Sequence, residues 1–223
     1  MQYPQAGKHG LAAGPNARPE RADWTIDQGW ERYTAEEHAV WQRLYERQAK
    51  LLPGRACDEF LDGLRRLPIA ADAIPDFRRL SDVLTKATGW QVVAVPGLVP
   101  DEVFFEHLAN RRFPAGQFIR RPQQLDYLEE PDVFPDVFGH VPMLMHPVLA
   151  DYIQAYGVGG LRAQRLGALP QLARVYWTRS SSAWCSSARA FASTARASPR
   201  RTPRACSRST TRRRTASASI WSA

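Results

Sequence analysis

The sequence predicts a mostly α domain with a little β over residues 24–177. Three observations lead there. Apolar residues recur at helical spacing through most of that stretch, capping signals frame several of the runs, and two short segments, "WQVVAVP" and "FPAGQFIR", read as strands. Hydrophobic residues make up 44% and charged residues 23% of the 223, with seven Trp, seven Tyr and nine Phe, a globular balance that can fill a sizeable core.

Taken in order, residues 1–23 are rich in Gly, Pro, Ala and basic residues and are expected to form a disordered extension. They lack the continuous apolar stretch of a secretory signal. A helix follows in "YTAEEHAVWQRLYERQAKLLP". Thr34 and Glu37 have the spacing of a capping box, Val40, Leu44 and Leu51 repeat at helical spacing, and Pro53 stops the run. "ACDEFLDGLRRLP" predicts a second helix. "IPDFRRLSDVLTKATGW" predicts a third, with Pro75 in its first turn and Gly89 at its end. After the first strand, "PDEVFFEHLANRR" is helical and "FPAGQFIR" is the second strand. "PDVFGHVPMLMHPVLADYIQAYG" is helical with a break near Pro142 or Pro147, and "GALPQLARVYW" begins another helix.

Composition bounds the function. No apolar run approaches the ~20 residues of a membrane span, so no membrane partner is expected. Three cysteines, Cys57, Cys185 and Cys206, do not suggest a disulfide framework, and a reducing, cytoplasmic location is the default. The net charge of +8 points to nucleic acid only until its distribution is read. Ten arginines and no Lys, Asp or Glu lie in residues 178–223, so the first 177 residues hold 20 basic residues against 22 acidic ones.

From Thr178 the hydrophobic period disappears, and Ser, Arg, Ala and Thr dominate. A disordered basic tail is one reading. Isolated Trp and Cys fit poorly with it, and this composition is what a GC-rich coding region yields when read out of frame. Pairing each codon's third base with the first two of the next permits V-E-F-G-L across Thr178–Trp184. It permits R-I-Y-G-A-G-I after Ala190 and P-N-R-I-G-F-D after Arg212. The sequence therefore predicts a single-base frame slip just after Trp177, with residues 178–223 as an out-of-frame, disordered tail.

The stretch "FIRRPQQLDYLEEPDVFPDVFGHVP", followed by "LADYIQAYG" and "LARVYW", resembles the iron- and pterin-dependent aromatic amino acid hydroxylases, and bacterial phenylalanine 4-hydroxylases above all. The resemblance covers about residues 24–177, is specific over 91–177, and implies that family's catalytic-domain fold, C-terminally incomplete. It also implies Fe(II) held by two His and one Glu, with tetrahydropterin as cosubstrate, O2, and phenylalanine as substrate. The family motif is His-Asp/Glu-x-x-Gly-His. Here its second His is His140, and its first position is occupied by Pro135, which has no lone pair for a metal. The Glu ligand falls in the shifted V-E-F-G-L. As written, two of three ligands are missing, and the resemblance implies a family member without activity.

The resemblance further places Gly97, Leu98 and Val99 at the pterin ring with backbone groups and Phe104 stacked on it. Asp136 stands at the acidic position beside the pterin. Arg120 holds the substrate carboxylate, where a planar fork suits bidentate contact. Tyr176 and Trp177 wall the pocket, on the pterin and substrate sides. Plainer readings stand beside these. His140 alone reads as a core histidine, and Asp136, Gly139 and Pro142 around it turn the reading to a former ligand. Phe104, Tyr176 and Trp177 also read as core aromatics, and Arg120 as a surface charge. Three alternative functions remain open: hydroxylation of another aromatic amino acid, non-catalytic binding of pterin or amino acid, and nucleic-acid binding by the basic tail. The arginines of that tail follow codon statistics, so no nucleic-acid partner is expected.

Overall fold

The computed structural model describes residues 21–126, 131–176, and the backbone of 184–187 and 190–193. Helix α1 spans Ala35–Ala49, α2 Asp58–Arg66, and α3 Phe77–Thr88. Strand β1 covers Gln91–Val95, α4 Asp101–Ala109, and β2 Arg112–Gly116. A π-helical turn, Phe134–Phe138, and a 3-10 turn, Val141–Met145, precede α5 at Pro147–Arg165 and α6 at Leu169–Val175.

The predicted capping box forms: Thr34 Oγ1 accepts from Glu37 N at 3.3 Å, and Glu37 Oε2 accepts from Thr34 N at 2.7 Å. Helix α1 ends at Ala49, however, so Leu51 is not on its buried stripe and is 44% exposed. Pro75 lies outside α3. Asp76 is the N-cap, its carboxylate accepting from Arg78 N at 2.9 Å, which satisfies a donor that a proline start leaves open. Gly89 closes α3 in the left-handed conformation, as expected.

β1 and β2 pair in parallel from Gln91↔Arg112 to Val95↔Gly116, with α4 as the crossover between them. The second strand thus begins one residue before "FPAGQFIR" and stops at Gly116, and Gln117–Arg120 leave the sheet. The long helix read from Pro135 to Gly157 is three pieces, because Pro142 and Pro147 each lack the N–H that continuation needs. Trp41, Phe60, Leu80, Leu84, Trp90, Phe105 and Leu108 form the centre of the core. α4 and α5 approach closely at Gly157, where a Cβ would fall 2.1 Å from Ala109 N.

Residues 21–23, expected in the disordered extension, are docked on the sheet through Asp23. Within the predicted tail, Trp184–Ser187 (β3) and Ala190–Ser193 (β4) pair antiparallel. The expectations for residues 1–20 and for the rest of the tail lie outside the described residues. Cys57, buried at the N-cap of α2, is disulfide-bonded, contrary to the expectation of reduced thiols. Among the described residues no helix is long and apolar enough to cross a membrane.

Candidate active site

The repeated "PDVF" has a structural consequence. Its copies are four residues apart, and the chain becomes helical from Val133, so Val133 and Val137, and Phe134 and Phe138, are neighbours one turn apart. Phe134 and Phe138 stack at 4.9 Å and 11°, and meet Trp41, Tyr45 and Phe60 edge-on at 5.1, 5.4 and 6.1 Å. Val133 and Val137 are fully buried. The aromatic face of the turn is thereby anchored on α1 and α2, and the two aspartates organise the β2 side. π-helical turns of this kind recur at functional sites.

Asp136 Oδ2 accepts from Gly116 N, the last residue of β2, at 2.9 Å. Burial pushes the Asp136 carboxyl up to about 7, with the nearby Asp132 charge adding and the Gly116 N–H opposing. Asp132 binds Arg120: Nε to Oδ2 at 2.8 Å, Nη2 to Oδ1 at 3.0 Å, and Arg120 N to Oδ2 at 2.8 Å. It also accepts from Phe134 N at 3.2 Å, at the start of the π turn. The Arg120 fork, read from sequence as a surface charge or as a carboxylate holder, is buried, with Asp132 and the Leu125 carbonyl accepting three of its five N–H donors.

Pro135 is the second residue of the π turn, where a missing N–H leaves no intrahelical bond unmade, and its carbonyl accepts from Gly139 N. His140 follows, half-buried, with its ring 5.9 Å from that of Phe113 on β2. Burial depresses its ring to about 4, which favours the neutral imidazole.

The expected pterin residues come from three elements. Gly97, Leu98 and Val99 form the loop from β1 to α4, with Leu98 exposed and Val99 packed on the core. Phe104 on α4 is buried, edge-on to Phe105 at 5.7 Å and to Tyr176 at 5.3 Å. Tyr176, at the end of α6, is buried, and its phenol is pushed up by burial and by the charges of Asp136 and Tyr156. Asp136 thus holds the sheet edge, and its charge is felt at Tyr176. Trp177 lies outside the described residues.

Sequence reasoning missed Asp132, Gly116 and Phe113. The repeat itself carried the signal for Asp132, since whatever role Asp136 takes, its twin one turn earlier is offered a neighbouring one. Among the described residues no group of three or more His, Cys, Asp or Glu is gathered that could hold a metal. Pro135 stands five residues before His140.

The parallel β1–α4–β2 unit, with a π turn facing the strand end, defines a member of a known class. The sequence profile of the biopterin-dependent aromatic amino acid hydroxylases matches residues 29–195, and the chain belongs to that family. Within it, the chain is 66% identical over 170 residues to the phenylalanine-4-hydroxylase of Caulobacter vibrioides, covering 75% of this chain and 57% of that protein. A Chromobacterium violaceum phenylalanine hydroxylase structure with bound iron(III) and 7,8-dihydrobiopterin superposes with TM-score 0.69 at 62% identity, covering 73% of this chain and 59% of that one. An iron- and phenylalanine-bound structure of the same enzyme superposes with TM-score 0.68 at 58% identity, covering 74% and 59%. The chain spans about half the length of the curated relatives it matches.

Proposed function

We propose that this site descends from a phenylalanine 4-hydroxylase, which converts phenylalanine, tetrahydropterin and O2 to tyrosine, and that the chain as written does not carry out the reaction. The observation that carries the second half is Pro135 on the π turn, with no ligand cluster around His140 among the described residues. The first half is supported by relatives whose structures hold iron, a dihydropterin and phenylalanine. In this reading Phe104, Tyr176, Asp136 and the Gly97–Val99 loop form the pterin side, and Arg120 and Trp177 the substrate side. His140 occupies the position of the second histidine of the family's metal motif. A cytoplasmic location goes with it from the sequence, while the disulfide at Cys57 counts against a reducing compartment, and cell fractionation tests that point.

We also propose that the coding frame slips by one base after Trp177. The shifted text supplies the V-E-F-G-L segment whose Glu completes the ligand set. The family profile matches residues 29–195 in the frame as written, which runs past Trp177 and counts against a slip that early, and resequencing the gene across this region decides between the two.

Four versions test the whole reading: the chain as written, Pro135→His, the frame restored, and both repairs. Each is assayed with iron, tetrahydropterin and phenylalanine. Only the double repair is expected to form tyrosine in a pterin-dependent manner. Robust turnover by the chain as written refutes the proposal, and turnover by the frame-restored Pro135 form shows that this position is not a ligand. A non-catalytic pterin or amino-acid binder is the second reading, favoured by the intact Phe104–Tyr176–Asp136 wall. Saturable binding of tetrahydropterin by the unrepaired chain supports it.

A further inference from the structure

Residues 21–30 form a strap across the outer edge of β1. Its link to the sheet is the bridge Ile26↔Ala94, with Ile26 N donating to Ala94 O at 2.9 Å. Downstream, Gln28 donates to Pro75 O at 2.9 Å and accepts from Phe77 N at 2.8 Å. The strap walls a cavity of about 480 Å³ floored by Val92, Val93 and Ala94.

The upstream end is held in another way. Trp24 has φ 62°, a left-handed conformation that a bulky residue keeps only when its surroundings impose it, in a turn closed by Trp24 N to Arg21 O at 3.0 Å. Two groups hold that turn. Arg112 Nη1 of β2 lies 3.1 Å from Asp23 Oδ2. His107 of α4, only 1% exposed, lies with Nε2 2.8 Å from Asp23 O. A carbonyl only accepts, so the ring donates from Nε2, and Nδ1 carries the lone pair. Nδ1 is buried and has no hydrogen-bond partner.

We propose that this cluster is a pH-sensitive latch, in which neutral His107 keeps the strap docked on the edge of β1 and protonation of its ring releases the strap. A second proton would place a charged N–H at Nδ1, where no acceptor waits, in a buried position beside the Arg112 guanidinium. The charged groups facing the ring are Asp23 from the strap, Arg112 from β2 and Glu106 from α4. The two carboxylates favour the proton. Asp23 is already engaged by Arg112 and by Thr25 Oγ1 at 2.7 Å, and burial outweighs both, so the ring is held below the ordinary histidine range. A base that binds its proton less well when docked than when free loses docking as pH falls through its free value of 6.5. The Asp23 carboxyl is held below its usual range, first by the Thr25 hydroxyl, and stays ionised across that window.

The latch has a place to act. Phe104 lies one turn before His107 on α4, and the Gly97–Val99 loop joins β1 to α4, so both ends of the loop stand on latched elements. This consequence rests on the pterin reading above, whereas the latch itself does not.

Hydrogen exchange of the full chain by mass spectrometry, corrected for intrinsic rates, tests it at about pH 7.5 and about pH 5. Residues 21–30 are compared with α3 as an internal reference. Strap protection is expected to fall at the lower pH while α3 is unchanged. His107→Gln offers an amide donor that cannot take the proton, and is expected to show the same strap protection at both. No fall in the wild type, or an undiminished fall in His107→Gln, overturns the proposal. The His107 ring titration, read by NMR, gives an independent arm: its midpoint is expected below the free value of 6.5, and a docked ring that titrates at or above 6.5 also overturns the proposal.

Discussion

Asp132 grips Arg120 on two prongs, Nε to Oδ2 at 2.8 Å and Nη2 to Oδ1 at 3.0 Å, with both side chains buried. The same carboxylate accepts Phe134 N at 3.2 Å, so one residue ties the arginine to the start of the π turn. Removing it leaves a buried guanidinium unpaired. Asp132→Ala is expected to cost about 3–5 kcal/mol, the usual penalty for breaking a buried pair from one side. Arg120→Met, which removes the charge and keeps much of the volume, is expected to cost less. Urea denaturation of the two variants checks the order, and equal small losses would show that the pair is not what holds this loop.

How much of this was legible in the sequence depends on distance along the chain. The Thr34–Glu37 box and the Gly89 stop are local signals, and both form as read. The start of α3 was read one cap too early, because Pro75 competes with Asp76 and only the carboxylate's bond to Arg78 N decides between them. The break in the long helix was read from prolines, but nothing local announces that the first piece is π-helical. The parallel pairing of β1 with β2 and the turning of the Arg120 fork onto Asp132 depend on residues 12 or more apart, and propensity is silent there. The pterin and substrate assignments came from family resemblance. The structure brings Phe104, Asp136 and Tyr176 together without a ligand to prove their use.

Helix α2 bears on the turn after His140 through Gly63, where a Cβ would fall 2.0 Å from the Pro142 carbonyl oxygen and 2.7 Å from its carbon. Both are backbone atoms and cannot swing aside. Gly63→Ala is therefore expected to destabilise by roughly 1–3 kcal/mol through overpacking, despite its better helix propensity. A thermal midpoint equal to or above that of the wild type would mean that α2 can shift freely.

Apolar side chains are exposed along α5, at its C-cap and on α6: Val148 is 69% exposed, Tyr152 48%, Leu166 71% and Val175 46%. Patches of a few hundred Å² promote association. The chain is expected to self-associate with rising concentration, and Val148→Lys with Leu166→Lys to reduce this. Light scattering across a dilution series reads the effect, and a monomer at high concentration would count against it.

Asp136 gives the chain a pH dependence of definite sign. Its carboxyl rises from 3.8 to about 7 because burial outweighs the Gly116 hydrogen bond. Between those values the folded protein keeps a proton that the unfolded chain has released. The native state then binds more protons, so its stability falls as pH rises, with a limiting slope of about 1.4 kcal/mol per pH unit for one proton. His107 and His140, whose proton affinities are lowered by burial, contribute the opposite sign below their ordinary value of 6.5, so the raw profile mixes all three. Asp136→Asn separates them, since an amide can still accept Gly116 N–H but has no proton to lose. The difference in stability between Asp136→Asn and the wild type is expected to grow in favour of the variant from pH 4 to pH 7 and to level off above. Urea midpoints at several pH values measure that difference, and a flat one would show that the Asp136 carboxyl titrates in its ordinary range.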